Sequence, residues 1–287
     1  MPHEVFLTAV VKDADAIKAR AVLAGIAEMK ERHQYLLVRH LERHARDRDP
    51  KFHNKLKEYQ KERGPNAARW QEFQHMFSKQ EYIIQEHVDV TREVEHANGG
   101  YVCSSHSPHH RSNADGSLLD REISLSFPPS KPRLLRWNDI PDPPSMVLSE
   151  FITQRKMLEI GDSRLEKILS DIKFVYVPLT HLFSSTGKFL TPSRSRGTCI
   201  EESYKWWLDN VEYSLTKYIP IPPGQAPNLA ALEPVAPFWI LYVCSQNDSS
   251  PERMKESQIA LGGVRERLLG LFDFKVFDRR AHDTRVM

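Results

Sequence analysis

The stretch Glu202–Ile221, ESYKWWLDNVEYSLTKYIPI, carries two runs rich in aromatic and β-branched residues on either side of Asp209-Asn210. Such runs, unbroken by Gly or Pro until Pro220, predict two strands. A two-residue connection can only join them antiparallel, because parallel strands need a crossover of a dozen or more residues. Asn210 tolerates the positive φ such a turn demands, although Gly would suit it better. Side chains alternate along a strand, so Trp206 and Trp207 face opposite ways. One of them enters the core at most, and the other needs a cover from a loop, a helix or a partner.

Further strands are predicted outward from this hairpin at Val5–Val11, Gln34–Arg43, Glu81–Val90, Gln154–Gly161 and Phe238–Cys244. Asp13 is placed as the cap of a helix carrying Ile17, Ala21, Ala24 and Ile26 on one face, with Gly25 near its end. A short helix in DSRLEKILSDI sets Leu165, Ile168, Leu169 and Ile172 to one side. Ser250-Pro251-Glu252 starts another helix, whose Met254, Leu261, Val264, Leu268 and Leu271 face the core. Gly262-Gly263 inside it marks a close contact or a kink. Phe272, Phe274 and Val276 then alternate with charged residues as a half-buried strand.

Many strands, few helices and hairpin connections make the fold class mainly β (α+β): an antiparallel β-barrel, closed or nearly so, with a few flanking helices and one domain over residues 1–287. Three stretches fall outside this pattern and are read as loops or insertions. Residues 44–66 are rich in Arg, Lys and His, residues 97–132 in Ser, His, Gly and Pro, and residues 173–199 show no clean period. The last is read as an insertion or a translated intron.

With 40 Lys and Arg against 38 Asp and Glu, the formal net charge is only +2, which argues against a dedicated nucleic-acid binder. The segment from Lys30 to Arg63 mixes acids with its bases and reads as a solvated strand and loop. Cys103, Cys199 and Cys244 lie far apart, as in a reducing compartment. The apolar run after Met1 is too short for a signal peptide or a membrane span.

Catalytic signatures fail in turn. No phosphate-binding glycine loop, H-E-x-x-H or G-x-S-x-G occurs. Cys103, His106, His109 and His110 offer zinc-type ligands, but the adjacent pair His109-His110 would strain to meet one ion, so a solvated His-rich loop is the reading. His40 and His44 are placed on an exposed strand edge. Glu93 and Glu95, two apart on a strand, would share a face and could hold a divalent ion in a barrel lumen. Ala97 stands where the E-x-E-x-K signature of tunnel triphosphatases has its lysine. His282-Asp283 has no activated Ser or Cys beside it. No cofactor or metal is expected.

Several blocks together resemble a known family. EVFLTAVVKDAD, LLRWNDIPDP, RKMLEIGDSRLEKILSD, IEESYKWWLDNVEYSLTKYIPIP and VRERLLGLFDFKVFDRRAHDTRV are similar, in this order, to the fungal form of Mediator subunit 18. The resemblance implies a nuclear, non-enzymatic component of the Mediator head module that helps connect transcription regulators to RNA polymerase II. It also implies a barrel fold, Mediator subunits 8 and 20 as partners beside other head-module subunits, and no membrane or direct nucleic-acid contact. Because the DRRAHDTRV ending lies on the family's motif, Arg279, Arg280, Asp283 and Arg285 are expected to hold the chain end or a partner in place. Trp137 is assigned to a partner interface as well. A metal-dependent tunnel triphosphatase and a nucleic-acid-binding module are the alternatives.

Overall fold

The computed structural model describes residues 2–27, 30–42, 66–79, 83–97, 133–143, 149–171, 175–176, 198–221, 236–247 and 250–276, with isolated positions at 54, 57–58, 61 and 147. Nine strands are described: β1 His3–Lys12, β2 Arg32–Glu42, β3 Ile84–Asp89, β4 Arg133–Asn138, β5 Thr153–Gly161, β6 Val175–Tyr176, β7 Thr198–Leu208, β8 Val211–Ile221 and β9 Phe238–Asn247. Their order is β3-β4-β5-β1-β9-β8-β7-β2-β6, and a further β2–β3 pairing closes β1–β5 and β7–β9 into an antiparallel barrel of eight strands. Two-residue β6 lies outside that ring, paired to the end of β2. Closure gives each of the eight strands a paired neighbour on both sides, which removes most of the template for unwanted strand pairing.

The predicted hairpin is present in full register, from Leu208 opposite Val211 to Thr198 opposite Ile221. Asp209, not Asn210, takes the positive φ, at 52°. Trp206 is 0% exposed while Trp207 is half-buried, so the two do divide between the faces of the strand.

Five helices are given ranges: α1 Ala16–Ile26, α2 Ala67–Lys79, α3 Thr91–Ala97, α4 Leu165–Asp171 and α5 Pro251–Arg267. They clothe the outside of the barrel in three apolar clusters. α1 and α5 bring Ala19, Leu23, Leu261 and Val264 onto Leu7, Trp206, Leu215 and Leu241. α2 and α4 bring Trp70, Phe73, Leu165 and Ile168 onto Leu135 and Ile160. α3 brings Val94 onto Leu37, Ile200 and Ile219. Each fully buried side chain of this size contributes about 1.5–3 kcal/mol relative to exposure, so these clusters stabilise the helix–barrel contacts.

Several expectations need correction. The buried face of α1 is Ala16, Ala19 and Leu23, whereas Ile17 is 79% exposed and Ala21 and Ala24 also face outward. Small side chains at Ala16 and Ala19 let the helix lie close against the barrel, and that packing sets its phase. Asp13 is no helix cap: it sits in a 3-10 turn and accepts hydrogen bonds from Lys217 Nζ at 2.7 and 2.9 Å. Leu271 is 59% exposed because α5 ends at Arg267 and Gly270, at φ 83°, redirects the chain. Among the described residues Gly262-Gly263 marks neither a kink nor a close contact: the helix runs through unbroken, and a Cβ at either position would meet none of them within 4 Å. The segment at Phe272–Val276 is not a strand either. It makes one isolated bridge, Phe274 opposite Ala9, and Val276 is 40% exposed.

Residues 44–66, 97–132 and 173–199 lie largely outside the described residues. Within them Asn66, Ala97, β6 and the Thr198-Cys199 start of β7 are described, together with isolated positions near residue 57.

Candidate functional site

The register carries side-chain parity around the ring and so defines what faces the lumen. Glu4 lies opposite Arg155, Phe6 opposite Cys244, and Cys244 opposite Glu212. Glu212 lies opposite Trp207; two residues along, Lys205 lies opposite Arg32; Gln85 lies opposite Arg136, and Arg136 opposite Glu159. Charged residues that read in sequence as the solvent side of strands therefore line an interior. There they meet partners: Arg136 Nε donates to Glu159 at 2.7 Å, Arg155 Nε to Glu4 at 2.7 Å, and Lys205 Nζ lies 3.2 Å from Glu212. The Arg155 guanidinium also sits 4.8 Å from the Phe6 ring centroid, close enough for a cation–π attraction.

Electrostatics inside the barrel follow from enclosure plus neighbours. Burial works against the charge of Arg136, but Glu159, Glu4 and Glu201 hold its pKa above the ordinary value. Burial raises the Glu201 carboxyl against the opposing pull of Lys205 and Arg136. Tyr242 and Cys199 are each pushed up to about 12 by burial, and Cys244 rises well above the usual thiol value. Both described cysteines are therefore protonated thiols at neutral pH, not activated nucleophiles. His87 is held well below its ordinary pKa by burial and by the charges of Arg136, His40 and Lys205. A single amide links the two lumen histidines: Gln85 Nε2 donates to His40 Nε2 at 3.1 Å, and Gln85 Oε1 lies 3.3 Å from His87 Nε2. That arrangement makes His40 Nε2 an acceptor and His87 Nε2 a donor.

A stacked row marks the outside, and a cleft opens at the end of the β7–β8 hairpin. On β2 and β7, Glu202 Oε1 lies 3.2 Å from each of His33 Nε2, Tyr35 OH and Tyr204 OH. His33 stacks on Tyr204 at 4.2 Å, and Arg20 of α1 lies 3.8 Å from the same ring's centroid. This stacked row is half-buried and rigidly tied. A cleft of about 890 Å³ also opens between the β7–β8 turn and α5, lined among others by Trp207, Asp209, Glu212, Arg253, Glu256 and Arg267. Trp207, the tryptophan left without a core position, stands in its wall.

The predicted site residues fare differently. Trp137 is 3% exposed and packs within the cluster under α2 and α4. Its indole is large and its strand face is covered by both helices, a context the sequence did not reveal. Glu93 and Glu95 lie on α3, not on a strand, and at i and i+2 they do not share a face. The helix starts there because Asp89 Oδ1 accepts from Thr91 N at 3.0 Å and from Thr91 Oγ1 at 2.7 Å, turning the chain out of β3. His40 is 5% exposed, since β2 is paired on both sides and is no edge. His44, Cys103, His106, His109, His110, Arg279, Arg280, His282, Asp283 and Arg285 lie outside the described residues. The paired lumen charges went unrecognised; their signal was charge at alternate positions on strands that register later brought face to face.

Comparison with known proteins places this barrel. No curated protein matches the chain. A chain from the Mediator head module of Schizosaccharomyces pombe shares the fold, with a TM-score of 0.56 at 11% identity over 95% of this chain and 98% of that one. A putative adenylyl cyclase from Hippeastrum, described as having a dominant triphosphatase activity, gives a TM-score of 0.38 at 10% identity over 96% of this chain and 90% of that one. One family, described as Med18 protein, matches residues 3–285. A match over nearly the whole length fixes membership: the chain belongs to the Med18 family.

Proposed function

We propose that this chain is a non-catalytic subunit of the Mediator head module, acting in the nucleus to help connect transcription regulators with RNA polymerase II and preinitiation complex assembly. The family match over residues 3–285 carries this reading. The lumen supports it. Arg136, Arg155 and Lys205, the cations a tunnel enzyme would turn toward phosphate, are each engaged by a carboxylate of the same barrel. Such pairs fix strand positions and hold the barrel interior together.

The partners in this reading are Mediator subunits 8 and 20. Arg279, Arg280, Asp283 and Arg285 of the chain ending hold either the terminus or one of these partners, because desolvated charge pairs set specificity. Co-expression with subunits 8 and 20 from the same organism, with and without residues 278–287, tests both statements. A stoichiometric complex that is lost on truncation supports both. A complex that survives truncation keeps the function and reduces the ending to a solvated tail. No complex with either form overturns the partner assignment.

A further inference from the structure

Three ion pairs occupy most of the charge in the barrel lumen, and one carboxylate is left over. Away from the strand ends, the lumen face of the described strands carries Arg136, Arg155 and Lys205 against Glu4, Glu159, Glu201 and Glu212. Glu159 holds Arg136, Glu4 holds Arg155, and Glu212 holds Lys205. Glu201 makes neither a hydrogen bond nor an ion pair among the described residues. Lys205 and Arg136 act on it through space, but each is committed to another carboxylate. Glu201 is half-buried, so its carboxylate keeps accessible surface inside the barrel.

A second group beside it is also unsatisfied. Ser203 lies two residues along β7, on the same lumen face. It is 0% exposed, and its Oγ has no hydrogen-bond partner among the described residues. The polar neighbours across the strands are already engaged. Thr216, opposite Ser203, shares a hydrogen bond with Ser214 Oγ at 2.9 Å. Gln34, opposite it on the other side, donates to Asp89 at 3.1 Å. Tyr218, opposite Glu201, is hydrogen-bonded to Tyr242. A lone carboxylate and a lone hydroxyl in an enclosed space are both costly until something donates to them.

We propose that the lumen beside Glu201 and Ser203 binds one small monovalent cation with N–H donors, a primary ammonium or a guanidinium group. A single positive charge balances the one carboxylate that the barrel leaves unpaired. Its N–H groups donate to the Glu201 carboxylate and to Ser203 Oγ together, which answers both open acceptors at once. A divalent ion suits the site less, because no three His, Cys, Asp or Glu residues are grouped to hold one among the described residues. The interior of an eight-stranded barrel has room for its side chains or for one small ligand, which sets the size of the guest. The proposal goes beyond head-module membership and does not depend on it.

Calorimetric titration of the full chain with propylammonium tests this, at pH 8 and at low ionic strength so that salt does not screen the charge. Saturable binding of one equivalent per chain is expected at concentrations below about 10 mM, with methylguanidinium as a second probe. Potassium, which carries the charge without donors, should bind at least about ten-fold more weakly than propylammonium. Glu201→Gln should weaken propylammonium binding at least about ten-fold, and Ser203→Ala by a smaller factor. Glu202→Gln, the next residue on β7 but on the outer face, should leave the affinity unchanged. No saturable binding to the wild type, equal binding of potassium, or unchanged affinity in Glu201→Gln overturns the proposal. If Glu201→Gln does not fold, Ser203→Ala decides, and unchanged affinity in that variant overturns it.

Discussion

Arg133 Nη1 donates to Glu86 Oε1 at 2.9 Å, and Glu86 is 0% exposed. Around this pair a small network forms outside the barrel. Arg39 Nη1 of β2 lies 3.5 Å from Glu86 Oε2, and Arg133 Nη2 reaches Glu166 on α4 at 2.9 Å. One buried carboxylate thus ties three neighbouring strands, and one of its arginines continues to a helix.

Removing that carboxylate takes one carboxylate partner from each of two arginines. Glu86→Ala is expected to destabilise the fold by about 3–5 kcal/mol, the usual cost of breaking a buried ion pair from one side. Glu166 is 61% exposed, and Glu166→Ala should cost no more than about 1 kcal/mol. Urea denaturation of both variants checks the contrast. Equal, small effects would mean that the buried pair is not a structural tie.

The lumen gives a pH prediction whose sign follows from His87 and Glu201. His87 is held well below 6.5 in the fold. The unfolded chain therefore binds a proton there that the folded chain refuses, and stability falls as pH drops through about 6.5. Glu201 is shifted the other way: its carboxyl is raised above 4.5, so the folded chain binds the extra proton. Its contribution grows as pH falls toward about 4.5 and is lost as pH rises through the folded value. Between pH 7 and about 5.5, His87→Gln should lose about 1 kcal/mol less stability than the wild type. Glu201→Gln, which removes the opposing contribution, should make the acid-side loss steeper. Urea titrations at the two pH values give both differences directly. Parallel curves for wild type and His87→Gln would show that His87 is not held neutral.

What the sequence disclosed is local, and what it hid depends on closure. ESYKWWL and VEYSLTKYIPI declared themselves as strands because aromatic and β-branched residues crowd a short span, and a two-residue link admits one geometry. The lumen did not declare itself. Glu4, Arg136, Arg155, Glu159, Lys205 and Glu212 occupy the half of each strand that reads as solvent-facing, and only the β2–β3 pairing turns that half inward. Helix phase was also hidden at α1, where Ala16 and Ala19 face the barrel and the larger Ile17 does not. Periodicity weights a bulky apolar side chain above a small one, while close helix-on-sheet packing reverses the order. At α3 the overlooked signal was Asp89 followed by Thr91, a turn-and-cap pair ending the strand before Glu93. The burial of Trp137 was hidden for the same reason: a tryptophan next to charged residues looks exposed until the helices that cover its strand are known.

Gly262 and Gly263 invite the last prediction. They lie inside α5, which runs unbroken from Pro251 to Arg267, and neither has a positive φ. Among the described residues a methyl group at either position would meet nothing within 4 Å, so no packing there requires glycine. Glycine in a helix interior costs about 1 kcal/mol relative to Ala, largely through the greater freedom of the unfolded chain. Gly262→Ala and Gly263→Ala should therefore each stabilise the chain by about 0.5–1 kcal/mol, and the sites are adjacent on the helix without sharing a neighbour to compete for. Denaturant midpoints of the single and double variants test it. Destabilisation by either Ala would show that α5 carries a constraint at that turn which the open space around it does not explain.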